Sequence, residues 1–134
     1  MSGGMHLGYV ILYVPDVARA VAFYETAFGL ARRFLHESGS YAEMETGATA
    51  LAFASEGLAA SHGFGFRPTR PGDDAPSIEV AFVTDAVDAA YARAVAGGAT
   101  EAQKPAAKPW GQRVAYVRDL DGYLVEICSP VGGG

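Results

Sequence analysis

The stretch "IEVAFVTDAVDAAYARAVAGGA", residues 78–99, decides the fold, because the chain spells the same grammar twice. Residues 78–83 read as a strand and Asp85 marks a turn. Val87, Ala90, Tyr91 and Ala94 then recur at the i, i+3, i+4, i+7 spacing of one buried helix face, and Gly98 supplies the stop. The earlier segment "YVILYVPDVARAVAFYETAFGL", residues 9–30, follows the same order. A buried strand ends at Pro15, Asp16 stands where it can cap a helix, and a helix from about Val17 to Phe28 buries Val17, Ala20, Val21, Tyr24 and Phe28 before Gly29 stops it. A shift of 70 residues lays Val17 on Val87 and Ala20 on Ala90, and a shift of 74 lays "ALAFAS" (50–55) on "LVEICS" (124–129). Self-similarity of that kind marks two copies of one supersecondary unit.

The rest of each copy is strand. In the first, runs at about 31–37, 40–45 and 49–55 are strand candidates, the last two joined by a turn around Gly47. In the second, "RDLDGYLVEI" (118–127) places Asp119, Asp121 and Gly122 as hairpin-turn residues ahead of a closing strand. The calcium-loop fragment in "DLDG" lacks the remaining ligand spacing. The chain therefore reads as α+β, with two βαβββ modules, about 9–55 and 78–130, in a single domain spanning 9–130. Residues 56–77, rich in Gly, Pro and charge, form the linker, and the Gly-rich ends 1–8 and 131–134 are expected to be flexible.

Composition narrows the function. With 15 acidic and 10 basic residues the net charge is −5, and no Lys/Arg cluster interleaves with aromatics, so a nucleic-acid partner is disfavoured. The apolar runs are too short to span a bilayer, no secretory leader opens the chain, and Cys128 is the sole cysteine. The expectation is a cytoplasmic protein with no membrane partner. A small molecule, cationic or neutral, suits such a surface.

One helix covers only one face of each sheet, so the other faces are expected to curl around a shared pocket with the helices outside. If Leu51, Phe53, Val125 and Ile127 pack under the helices, strand alternation turns Ala50, Ala52, Ala54, Leu124, Glu126 and Cys128 the other way. By the same parity Glu79 and Ala81 face inward, as do Tyr9, Ile11 and Tyr13. Three alanines on one strand suggest space for a ligand. The competing reading is that Glu79 and Glu126 simply reach solvent. Trp110, the only tryptophan, lies in the loop "KPAAKPWGQR" (104–113) at a strand start, where it either plugs the end of the core, the reading put ahead, or stacks on a ligand. Arg113 and Tyr116 take opposite faces of the next strand, and parity does not say which looks inward.

The segments 13–30 and 109–127, "PWGQRVAYVRDLDGYLVEI", resemble signatures of the vicinal oxygen chelate superfamily, the glyoxalase/bleomycin-resistance/dioxygenase group, with Leu120 where proline is usual. The resemblance covers about 9–130 and implies the two-module fold. It also implies four metal-ligand positions, which fall here on Tyr9, Ala52, Glu79 and Glu126. Only Glu126 matches the family pattern, and two carboxylates with a phenol are a poor donor set for a divalent ion. The expectation is no bound metal and no cofactor. His6, His36 and His62 are read as surface histidines, which leaves no two-histidine iron site.

Two functions follow as expectations. The first is metal-independent binding of a small aromatic or cationic ligand, as in drug-binding relatives, by Tyr9, Tyr13, Ala52, Glu79, Trp110 and Glu126. The alternative is a glyoxalase-I-like lyase or epimerase in which Glu126 or Glu79 moves a proton beside a carbonyl. Open sheet edges make a homodimer the expected assembly.

Overall fold

The computed structural model describes residues 3–132. The first module contains β1 (Tyr9–Val14), α1 (Val17–Phe28), β2 (Ala31–Leu35), β3 (Tyr41–Glu45) and β4 (Ala50–Ser55). A short helix, α2 (Glu56–Ala60), follows. The second module contains β5 (Glu79–Val83), α3 (Val87–Ala96), β6 (Thr100–Ala107), β7 (Arg113–Arg118) and β8 (Leu124–Cys128). Each module makes a four-stranded sheet, in the order β1-β4-β3-β2 and β5-β8-β7-β6. In each, the first strand runs parallel to the last and the remaining pairs are antiparallel. Two βαβββ modules in an α+β chain are what the repeat specifies.

Helix α1 begins and ends where its local chemistry dictates. The Asp16 side chain accepts the Arg19 N–H at 3.1 Å, and Gly29, at φ 69°, closes the helix in the left-handed region. Its apolar stripe of Val17, Ala20, Val21 and Tyr24 is buried, and the Tyr24 ring meets Phe53 of β4 with centroids 5.0 Å apart. Burying side chains of this size contributes about 1.5–3 kcal/mol each. In the second module Asp85 falls one residue short of the capping position. Ala86 occupies that position and provides no side-chain bond, while the Thr84 hydroxyl takes the Ala86 N–H at 3.1 Å. Helix α3 nonetheless buries Val87, Tyr91 and Ala94. Its end, Gly97, lies where an added Cβ would come within 2.8 Å of the Ala27 Cα.

The chain divides into two compact units, Met1–Glu25 with Gly29–Pro68, and Thr26–Phe28 with Thr69 onward. In the second unit Phe28 packs against Phe82, centroids 5.3 Å apart, and Arg93 donates to the Thr26 carbonyl at 3.2 Å.

The structure adds detail to the linker, the end of β2 and the chain ends. The linker opens with a helical turn, α2, which Ser55 caps by accepting the Leu58 N–H at 3.0 Å. Arg118, at the end of β7, pins a later part of the linker by donating to the carbonyls of Asp73 at 2.7 Å and Arg70 at 3.3 Å. His36 lies beyond β2, in a turn where its ring nitrogen Nδ1 accepts the Ser38 N–H at 3.0 Å. Of the expected flexible ends, residues 1, 2, 133 and 134 lie outside the described residues. Leu7 and Gly8 are tied down, their carbonyls accepting from the Thr49 hydroxyl and the Ala50 N–H at 2.6 and 2.8 Å. Among the described residues no helix is long and apolar enough to cross a membrane.

Candidate functional site

Register fixes which side chains share a face. In the second sheet Ala81 pairs with Glu126, Glu126 with Tyr116, and Glu79 with Leu124. Glu79, Glu126 and Tyr116 therefore project from the face opposite α3, while Val125 and Ile127 are buried on the helix side. The two glutamates sit on neighbouring strands, offset by two residues, with their carboxyls in hydrogen-bonding reach. That bond to Glu126, then partial desolvation and the repulsion of a second negative charge, push the Glu79 carboxyl up to about 7. The Tyr116 phenol is also raised, chiefly by burial and then by the charge of Glu126 and Glu79. Burial, followed by a hydrogen bond to Glu126, pushes the Cys128 thiol up to about 11.

The arginines of β7 do not neutralise the pair. Arg118 donates to the carbonyls of Gly122, Asp73 and Arg70. Arg113 turns to the helix side, where it forms two bonds to Asp88 at 2.9 and 3.1 Å. The strand thus answers the question that parity left open, with Tyr116 on the acidic face and Arg113 away from it.

Behind this face the β7–β8 turn is rigid. The Asp119 carboxylate accepts the N–H groups of Asp121 and Tyr123, each at 2.9 Å, and Gly122 adopts φ 101°. Hairpin chemistry, and not a calcium loop, accounts for "DLDG".

In the first module β1 and β4 pair in register as Tyr9 with Ala50, Ile11 with Ala52 and Tyr13 with Ala54. Tyr9 is 54 % exposed, whereas Tyr13 is half-buried with its ring edge-on to Phe66 at 5.0 Å. The three alanines do not open onto space: Ala52 is 0 % exposed, and Ala50 and Ala54 are buried with it. Opposite Ala52 on the same face β3 sets Glu43, which is only 7 % exposed itself. A register shift in β2 between Arg32 and Phe34 leaves Arg33 as an extra residue. Arg33 forks onto Glu45 at 2.8 and 3.1 Å and reaches Glu43 at 3.4 Å. The Tyr41 hydroxyl donates to Glu43 at 2.8 Å, and burial with this carboxylate pushes the phenol up to about 12. Sequence reading missed this cluster. Counting back from Ala52 across a turn centred near Gly47 reaches Glu43, but the bulge that aims Arg33 leaves no local signal.

Trp110 is not a core plug. It is 60 % exposed at the β6–β7 turn, and its indole N–H donates to Gln112 Oε1 at 2.6 Å. Gln112, buried, in turn donates to the Ser129 carbonyl at 2.8 Å. With the N–H bonded, the indole can stand in water while keeping its polar group satisfied.

The metal positions implied by the fold do not suit an ion. The first module offers the Tyr9 phenol and the Ala52 methyl, and the second offers two carboxyls already bonded to each other. Among the described residues no group of three or more His, Cys, Asp or Glu gathers as a metal needs.

The comparisons agree with the fold. A glyoxalase-related enzyme from Fulvimarina pelagi is 26% identical over 93% of this chain and 88% of its own, with a TM-score of 0.79. TioX from Micromonospora sp. ML1 is 27% identical over 94% and 98%, with a TM-score of 0.70. A protein of unknown function from Agrobacterium tumefaciens C58 is 25% identical over 96% and 97%, with a TM-score of 0.77. No curated protein matches the chain. The family model described as the glyoxalase/bleomycin resistance protein/dioxygenase superfamily matches residues 6–127, and with nearly its whole length so matched the chain belongs to that superfamily.

Proposed function

We propose that the chain binds a small aromatic or cationic organic ligand without a metal, and that the helix-free face of the second module carries the recognition. The supporting observation is the Glu79–Glu126 pair, which has an aromatic neighbour in Tyr116 and no ion-pair partner among the described residues. A cation placed there offsets the mutual repulsion of the two carboxyls and gains contact with an aromatic ring. The exposed indole face of Trp110 is a further aromatic surface in the same module. A resistance-like role of sequestering a drug fits this reading. The test is thermal shift and calorimetry against glycopeptide-type and aromatic cationic drugs. Saturable binding that weakens at least tenfold in Glu126→Gln is expected, and binding confined to acidic or neutral compounds would overturn the reading.

One observation favours a second reading. A carboxyl at about 7 is matched to general acid–base work near neutrality, as a lyase or epimerase acting beside a carbonyl requires. Turnover of hemithioacetals that vanishes in Glu79→Gln and Glu126→Gln supports it, and no turnover with or without added nickel or zinc removes it. In either case we propose a homodimer, since β2 and β6 each leave a sheet edge unpaired within their own sheets. Light scattering of the purified chain decides that.

A further inference from the structure

We propose a separate subsite within the first compact unit: Tyr13 takes a flat, uncharged aromatic ring, and Phe66 of the linker fills that place until the ring displaces it. Tyr13 of β1, Ala54 of β4 and Tyr41 of β3 lie in one row on the helix-free face, since Ala54 pairs with both tyrosines. Two strand spacings, about 9.5 Å, separate the phenols, and a single methyl stands between them. A ring seated above that methyl comes within aromatic reach, about 4.5–7 Å between centroids, of Tyr13 on one side and Tyr41 on the other. Ala54 is nevertheless buried, so a ligand enters this row only by displacing a group that already covers it.

Phe66 is the ring at this row best able to leave. It lies edge-on to Tyr13, centroids 5.0 Å apart and planes at 69°. Tyr13 and Tyr41 are fixed by strand pairing, and the Tyr41 hydroxyl is bound to Glu43 at 2.8 Å. The linker has no such hold around Phe66. It leaves α2 through bonds from the His62 and Gly63 N–H groups to the Ala59 and Ala60 carbonyls, each at 3.2 Å, and Arg118 holds it again at Arg70 and Asp73. Among the described residues, no backbone-to-backbone hydrogen bond involves residues 64–69. A Cβ built at Gly63 or Gly65 meets nothing within 4 Å, so the backbone beside Phe66 has room to swing. An incoming ring can match one edge-on contact, so the exchange loses little beyond freeing the linker. The group being replaced is an uncharged phenyl, which is why the subsite calls for a flat ring and not for a cation.

The experiment is calorimetry of the full chain with indole, a neutral flat ring, and with cyclohexanol, a neutral ring that is not flat. Indole is expected to bind saturably and more tightly than cyclohexanol. Phe66→Ala removes the competing ring and should tighten indole binding by about three- to tenfold, because the free site is then always open. Phe64→Ala, on the same segment but half-exposed and stacked on His62, should leave it unchanged. Tyr13→Leu should weaken binding at least tenfold, and Tyr13→Phe, which keeps the ring, should retain it. A change of less than about twofold in Phe66→Ala, or weaker binding, overturns the exchange. Equal tightening in Phe64→Ala overturns it as well, by assigning the gain to a looser linker. Cyclohexanol binding as tightly as indole, or no indole binding to the Phe66→Ala chain, removes the subsite while leaving the cation reading of the second module to its own test.

Discussion

Glu79 carries a consequence for stability as well as for binding. Its carboxyl stays protonated in the folded chain up to about 7, against an ordinary 4.5, so between those values the folded state holds more protons than the unfolded one. Stability contributed by such a group is fully present below about 4.5 and is lost as pH rises through about 7. Glu79→Gln should flatten that decline and stabilise the chain at pH 8 by up to about 1 kcal/mol, a modest figure because the site is largely solvent-exposed. Urea unfolding at pH 5, 6 and 8 measures it, and an unchanged slope assigns the decline to another group. Glu43 makes the opposite case. It is buried, and Arg33 is the cation that compensates it. Arg33→Ala should lower the denaturation midpoint by leaving that carboxylate with the Tyr41 hydroxyl alone, and should lower it more than Glu45→Ala on the exposed rim does. Chemical denaturation of both variants decides between a buried-charge effect and a surface pair.

At the scale of elements, the β7–β8 turn and the linker are locked by shape. A Cβ at Gly122 would lie 2.6 Å from the Arg70 carbonyl oxygen, and φ is 101°. Gly122→Ala should therefore cost about 2 kcal/mol or more, while Gly111→Ala, at φ 96° but facing open space, should cost about 1 kcal/mol. Thermal unfolding of the two variants separates the clash from the backbone strain they share. The same scale shows what a sequence can tell. The limits of α1, Val17 to Phe28, were legible because Asp16 and Gly29 act within a turn of the residues they control. Strand parity sufficed to put Glu79 and Glu126 on the helix-free face. Pairing register depends on a bulge set by the whole sheet, so Arg33 and Glu43 stayed hidden, and Trp110 was misjudged because its hydrogen bond to Gln112 follows the fold of a loop.

For the molecule as a whole, the lone cysteine reports on global opening. Cys128 is buried on the closing strand and its thiol is pushed up to about 11, so little thiolate forms and reagents do not reach it. Labelling by a thiol reagent in native buffer should be slower by about a hundredfold or more than in denaturant. The native rate should follow unfolding free energy across destabilised variants. Rapid native labelling would show that β8 opens locally.

The lone indole at the β6–β7 turn supplies the complementary signal. Standing in water with its N–H held by an amide, it should fluoresce at the long-wavelength end of the tryptophan range. Uncharged acrylamide should quench it more strongly than iodide, which the surplus of negative charge repels. Whatever settles on that turn changes the colour or yield of the emission, so the native chain carries its own optical sensor.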